Sequence, residues 1–401
     1  MDGENNTNLK VEPQQETDDT LLKRYRRRKI LLFLRSLILP AILIIVVAAI
    51  IAFIYVNQEK LNRDTVRRIT TVGSSSYTAI GGAADLGHDR TVRLAPFLEG
   101  VIAVSTSEVR YETVDGDSGF SLEGVFSVPG VSVSGGYCLA FDIGGRTLLT
   151  ADKNGKLASA EVSGEIVSAS ISPTGRVAVV SSVTGYRSEV SVYDKNLKLI
   201  YRWQTPEHYV TSAVVSEDGG LLAAATVYIK NDGLCSAVKL FSLDAEGVIA
   251  QSSDYEGLCM SLWPVQNGFG MLFDNAVAMI DTSAEEKTYH PFGAPLAEFD
   301  FDGDGGIALL LSPQESAERF RLLRISKKGE AETMSVANDD VTDVAAYGEH
   351  TALLRAGSVY LYGKDLKLEK ILTPTKLEPH SVLIIDGLRL LLRTDNELLA
   401  Y

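Results

Sequence analysis

Cysteine, tryptophan and histidine are scarce in this chain, and positive charge is in deficit. There are three cysteines, two tryptophans and five histidines in 401 residues. Cys138, Cys235 and Cys259 are too few and too far apart for a disulfide framework. Cys138 lies in Gly-Tyr-Cys-Leu-Ala-Phe and Cys259 in Gly-Leu-Cys-Met, settings of buried small apolar residues. A Cys235–Cys259 bridge stays open outside the cytoplasm. His88, His208, His290, His350 and His380 are scattered, and none has the spacing of a metal site such as His-Glu-x-x-His. Walker A, Gly-x-Ser-x-Gly and Cys-x-x-Cys patterns are absent. Ser236-Ala237-Val238-Lys239 formally matches Ser-x-x-Lys, but it reads as a strand and lacks the companion motifs. No catalytic, cofactor-binding or metal residue is therefore assigned, and no cofactor is expected.

The charge is unevenly distributed. The formal net charge is −14. Residues 1–20 carry six acids and one base, residues 21–56 carry seven bases and no acid, and residues 57–401 carry 30 bases and 46 acids. A domain that acidic repels phosphate backbones, which excludes nucleic acid as an expected partner.

One long apolar run stands out. Leu37 to Val56 is twenty residues without a charge, and at 1.5 Å per residue it spans about 30 Å, the thickness of a bilayer core. Pro40 falls in its first turn, where a missing N–H costs little, and Tyr55 suits the far interface. Lys23, Arg24, Arg26, Arg27, Arg28 and Lys29 precede it, with Arg35 further on. Such a cluster stays on the cytoplasmic side. A secretory signal peptide is the competing reading; its apolar core is shorter, and no small-residue cleavage site follows Val56. The expected organisation is a cytoplasmic tail over 1–29, a single transmembrane helix over 30–56, a stalk over 57–73 and an extracytoplasmic domain over 74–401. The tail is polar and expected to be disordered.

From Tyr77 onward no segment holds a helical period. Short runs of Val, Leu, Ile, Tyr and Phe alternate with Gly, Asp and Asn turns, the pattern of many short antiparallel strands. Val101–Ser105, Tyr137–Phe141, Val177–Ser181, Val190–Tyr193, Leu221–Thr226, Val238–Leu243, Ile307–Leu311, Ser358–Tyr362 and Leu388–Arg393 are examples. Val192-Tyr193-Asp194-Lys195-Asn196-Leu197-Lys198-Leu199 recurs as Leu361-Tyr362-Gly363-Lys364-Asp365-Leu366-Lys367-Leu368, an offset of 169. That is four periods of about 42, the length of a four-stranded propeller blade. Similar strand-closing turns begin at Asp115, Lys153, Lys195, Ala245, Ser283, Lys327 and Lys364, at intervals of 38, 42, 50, 38, 44 and 37 residues. One further period ends at Tyr401, with only three strands in the last unit. A strand near Ser75–Gly82 would complete it. The fold class is thus all-β, an eight-bladed β-propeller preceded by one transmembrane helix. Seven blades stay open because the unit at about 88–120 is poorly patterned. A β-sandwich fits the strands but not a sustained period.

Asp300-Phe301-Asp302-Gly303-Asp304-Gly305 resembles a calcium loop, with aspartates at alternate positions. An EF-hand needs an acid at position 12, which here is Leu311. The stretch also falls where other blades have Ser172-Pro173-Thr174-Gly175 and Ser216-Glu217-Asp218-Gly219. A hairpin turn and a cation site are both open for Asp300, Asp302 and Asp304.

The basic tail, single helix and stalk precede blades reading Phe141-Asp142-Ile143-Gly144-Gly145-Arg146, Ile171-Ser172-Pro173-Thr174-Gly175 and Ser188-Glu189-Val190-Ser191-Val192-Tyr193-Asp194. This layout resembles a bacterial membrane-anchored β-propeller family of unknown function over most of the chain, most clearly over about 130–245. The resemblance implies fold and topology and supplies no activity. More distantly the blades resemble WD40-like and quinoprotein-like propellers. Asp152-Lys153-Asn154-Gly155-Lys156-Leu157 resembles the quinoprotein turn, but Ser159 stands where that motif has tryptophan. With only Trp203 and Trp263 the tryptophan girdle of quinoprotein dehydrogenases cannot be built.

The expected partners are the bilayer, through one helix, and an envelope protein bound by the propeller as a scaffold. An envelope hydrolase working in the channel and a ligand sensor signalling through the helix are the alternatives. Convergence of three or more carboxylates or histidines at the channel mouth would favour the enzyme.

Overall fold

A strand covered on both faces needs apolar side chains at every position, and a propeller makes two such strands per blade. In the computed structural model, Val177–Ser182, Gly268–Phe273 and Ile307–Leu311 are buried almost throughout. The alternation assigns each side chain to one neighbour. Leu222 and Ala224 pack with Phe241 toward the preceding blade, while Ala223 and Ala225 pack with Val238 and Leu240 toward the following one.

The structure describes residues 78–79, 91–114, 118–313, 319–337, 341–374, 378–386, 389–395 and 398–401. They form eight antiparallel sheets, seven of them built from consecutive strands. We number the blades in chain order and the strands from the axis outward. First strands of successive blades neighbour one another, for example Glu165–Ile171 with Tyr209–Val215, and Val341–Tyr347 with Ser381–Asp386. Eight apolar clusters each lie between two adjacent blades, so the core is a ring of eight layers. The seven-bladed alternative is thereby excluded.

The eighth blade closes the ring. It has the order Thr78–Ala79, Leu398–Ala400, Arg389–Arg393, Ser381–Asp386 from rim to axis. Thr78 pairs with Ala400 and Ala79 with Leu399. The N-terminal strand thus supplies the outermost strand, as the missing fourth strand required. The apolar run 37–56, its basic flank and the stalk lie outside the described residues. Among the described residues no helix is long and apolar enough to cross a membrane.

The turn signal behind the period has a repeated chemistry. An Asp or Ser at the end of the third strand or just after it accepts from backbone N–H groups inside the turn. Asp152 Oδ1 accepts from Asn154, Asp194 Oδ1 from Asn196 and Lys198, Asp281 Oδ1 from Ser283 and Glu285, and Ser326 Oγ from Lys328 and Glu330. Three residues on, the backbone is left-handed, at Gly155, Leu197, Ala284 and Gly329. Glycine meets that demand freely; leucine and alanine hold it only because the turn is otherwise well bonded.

Candidate functional site

Strand direction defines two faces. Turns joining first to second and third to fourth strands lie on one, called upper here. Turns joining second to third strands, and the passages between blades, lie on the lower.

At the axis, the first strands are laced by side chains that bond the backbone of the next blade. Ser132 Oγ accepts from Ile171 N–H at 3.2 Å. Ser168 and Ser170 donate to the carbonyls of Thr211 and Ala213 at 3.0 and 2.9 Å. Thr211 donates to the Cys259 carbonyl at 2.7 Å, and Ser212 Oγ accepts from Leu262 N–H at 3.1 Å. From blade 6 onward carboxylates take over. Asp300 Oδ2 accepts from Ala346 N–H, and Asp343 Oδ2 from Val382 N–H, each at 2.8 Å. A bulge precedes or adjoins these positions in blades 3, 4, 6 and 7, as between Leu296 and Glu298 or Val341 and Asp343. It swings the linking side chain toward the neighbour.

This resolves the Asp-rich stretch. Asp302 Oδ1 accepts from Asp304 N–H at 2.8 Å and Gly306 N–H at 2.7 Å. It fills the place held by Ser172 and Ser216, whose hydroxyls accept from Arg176 and Leu221 N–H in the equivalent turns. Asp304 pairs with Lys327 at 3.1 Å, and Asp300 reaches into blade 7. The three carboxylates thus have three different partners, and the stretch is a hairpin turn. Among the described residues no group of three or more His, Cys, Asp and Glu is placed to hold a metal ion.

Glu298, Asp300 and Asp343 face one another across blades 6 and 7. Burial raises the pKa of all three, and the Asp343 charge adds to the rise for Glu298 and Asp300. Asp300 is pushed up to about 7 against the pull of its two backbone N–H groups.

The remaining candidates disperse. All three cysteines are buried and free, so the Cys235–Cys259 bridge is not formed. Burial drives the Cys138 and Cys259 thiols up to about 12. Ser236 Oγ donates to the Gly257 carbonyl and accepts from Cys259 N–H, while Lys239 stands over the Trp203 ring, so the formal Ser-x-x-Lys pair is not a unit. His290 bonds the Gly329 carbonyl, His350 faces Glu369 and His380 faces Asp395. His88 lies outside the described residues. The His208 ring lies against Tyr228, tilted by 45° with ring centroids 5.0 Å apart.

His208 belongs to the feature sequence reading missed. The second and third strands of blade 4, Leu221–Lys230 and Gly233–Ser242, have ten residues each. Their counterparts in blade 5, Gly268–Phe273 and Ala276–Asp281, have six. The hairpin therefore projects about 13 Å further from the lower face. Asn231 and Asp232 are both left-handed, the geometry of a tight two-residue hairpin turn. Ile229 pairs directly with Leu234, and Tyr209 with Val227. Direct pairs and alternate residues share a face, so these four side chains form one apolar sheet face. Ile229 is 69% exposed, Tyr209 56% and Leu234 40%. Arg187 stands over the Tyr209 ring at 5.0 Å, and Tyr186 beside it is exposed. On the other face, Tyr228 and Lys230 both bind Asp254, which stiffens the projection. The Asn-Asp-Gly sequence after ten strand-forming residues is the signal that could have revealed it.

The model of a family described as "Family of unknown function (DUF5711)" matches residues 75–368. The chain belongs to that family. The family match spans blades 1 to 6 and most of blade 7. No curated protein matches the chain. Among solved structures, the computationally designed Ika8 protein is similar over 77% of this chain and 94% of its own, at 13% identity and a TM-score of 0.51. The β-propeller domain of Cps50 (Swd1) from Myceliophteria_thermophila covers 81% and 99%, at 14% identity and a TM-score of 0.45. Apo AztD from Citrobacter koseri covers 73% and 88%, at 13% identity and a TM-score of 0.48. At such identities the likeness speaks to fold alone.

Proposed function

We propose that this family member is a single-pass membrane protein whose propeller stands outside the cytoplasm and docks a protein of the cell envelope on its lower face. The observation that carries the reading is the projecting blade 4 hairpin. Scattered exposed apolar side chains are ordinary, but a rigid, register-aligned group on a projection is a feature of recognition surfaces. Arg187 and Tyr209 beside it are residue types enriched where interfaces concentrate their energy. The apolar run 37–56 and its basic flank supply the anchor and its orientation. A channel enzyme finds less support. Three carboxylates, Glu298, Asp300 and Asp343, do meet at the inner wall, the arrangement expected of a channel enzyme, but Asp300 and Asp343 are engaged in holding the next blade.

A photocrosslinking residue at position 229 in intact cells should give one discrete protein adduct, and the same residue at position 153, on the upper face, should give none. Changing Leu234 to Asp should remove the adduct while leaving the protein anchored. Protease added to spheroplasts should remove the propeller. Equal adducts from both positions would end the docking assignment, and full protection from protease would overturn the orientation.

A further inference from the structure

The lacing around the axis has two chemistries. Blades 2 to 5 are joined by Ser and Thr hydroxyls, which do not titrate in the physiological range. Blades 6, 7 and 8 are joined by the carboxylates of Asp300 and Asp343. Each carboxylate spends one oxygen on the N–H of its own chain neighbour, Phe301 or Val344, and the other on the next blade. No lysine or arginine forms an ion pair with either one among the described residues.

We propose that the inner strands of blades 6, 7 and 8 form a proton-sensitive seam, closed when a proton is held by the Asp300 and Asp343 pair and loosened when it is lost. The groups that face the pair come from all three blades. Blade 6 contributes Glu298 and Asp302, the latter balanced by Arg324; blade 8 contributes His380 and the Ser381 hydroxyl. Acids thus dominate the inner wall, and His380, which opposes them, is itself shared with Asp395. Glu298 is exposed and Asp300 and Asp343 are half-buried, so a second negative charge beside them would lack a cation and would favour the water already at the wall. Water would compete for the Ala346 and Val382 N–H groups that tie the blades. The hydroxyl-laced blades have no such response, so one arc of the ring would loosen while the other held.

The direction follows from linkage. The native state holds Asp300 with its pKa raised to about 7, against 3.8 for an ordinary aspartate. It therefore binds more protons than the unfolded chain between these values. The stabilisation is complete below about pH 4, declines as pH rises and is lost above about pH 7. The seam does not depend on what docks at blade 4. If the propeller stands outside the cytoplasm, as proposed above, it meets ambient pH directly.

Hydrogen exchange on the full-length chain in detergent tests this, with each rate corrected for intrinsic pH dependence. Between pH 6 and pH 8.5, protection in peptides covering 341–347 and 381–386 should fall at least about tenfold, the equivalent of one pKa unit. Protection in 165–171 and 209–215 should stay level. This comparison needs no variant. In Asp300→Asn the amide oxygen still accepts from Ala346 without a charge, so the fall at 341–347 should flatten. Parallel behaviour of the two arcs would overturn the proposal. So would a wild-type slope in both Asp300→Asn and Asp343→Asn.

Discussion

Replacing Gly270 with alanine should destabilise the propeller by about 2–4 kcal/mol, although only one methyl group is added. Gly270 pairs directly with Trp263, and the indole lies across it. A Cβ built on Gly270 would fall 2.1 Å from Trp263 Cε2 and 2.2 Å from Cζ2, inside any tolerated contact. The indole has nowhere to retreat. It is buried, packs on Phe301 with ring centroids 5.1 Å apart, and donates its N–H to the Gly305 carbonyl at 2.9 Å. Gly305 belongs to the Asp-rich hairpin of blade 6, so displacing the ring also loosens the contact between blades 5 and 6. Denaturant titration followed by tryptophan emission reads this cleanly in a Trp203→Phe background, where Trp263 is the sole emitter. In a Trp263→Leu background the same alanine should cost less than about 1 kcal/mol, because the clash and the bond are both gone. Equal costs in the two backgrounds would place the strain elsewhere than under the indole.

That glycine illustrates which layers of the fold were legible in the sequence. The apolar runs read as strands fall mostly on second and third strands, such as Val177–Ser182 and Ser358–Tyr362. These are covered by blades on both faces and admit little else. Outer strands escaped because one face meets solvent: Glu286–Pro291 and Leu368–Leu372 read Glu-Lys-Thr-Tyr-His-Pro and Leu-Glu-Lys-Ile-Leu. Inner strands escaped for a similar reason, since the side chains that lace the axis are Ser, Thr and Asp. The period survived because the turn chemistry repeats even where the strands vary. Its one outlying interval, 50 residues from Lys195 to Ala245, is the blade that carries the lengthened hairpin. The irregularity in the repeat was therefore the mark of the projection. Blade 1 looked poorly patterned, yet Arg93–Phe97, Gly100–Val104, Glu108–Thr113 and Ser118–Glu123 make a regular sheet.

The role of Asp300 was beyond reach for a different reason. Its deciding partner is 46 residues away on another blade, and no local pattern encodes that distance. Seen locally, three alternating aspartates suggest a cation. In place, the first links two blades, the second shapes a turn and the third meets a lysine. Closure of the ring was readable, by contrast, because it is a matter of counting strands rather than of knowing contacts.

Glu189 should prove as sensitive as the glycine, and its variants separate hydrogen bonding from ion pairing. It lies on the third strand of blade 3 and is only 2% exposed. Its carboxylate accepts from Ser163 Oγ at 3.2 Å, Ser191 Oγ at 3.1 Å and Gln204 Nε2 at 2.7 Å. Arg202 Nε approaches at 3.6 Å, but that side chain is 44% exposed. Glu189→Leu removes the common acceptor of buried Ser191, half-buried Gln204 and exposed Ser163 and should cost about 2 kcal/mol, since a buried donor left unmatched costs about 1–3 kcal/mol while an exposed one is met by water. Glu189→Gln keeps an oxygen for the two serines, and Gln204 can turn its amide to accept instead, so a cost of about 1 kcal/mol is expected. Arg202→Met should cost less than about 1 kcal/mol, because an exposed partner is screened by solvent. The order Leu, then Gln, then Met in denaturant midpoints identifies Glu189 as the hub of a hydrogen-bond network inside blade 3. A methionine at 202 as damaging as the leucine at 189 would instead make the ion pair the stabilising element.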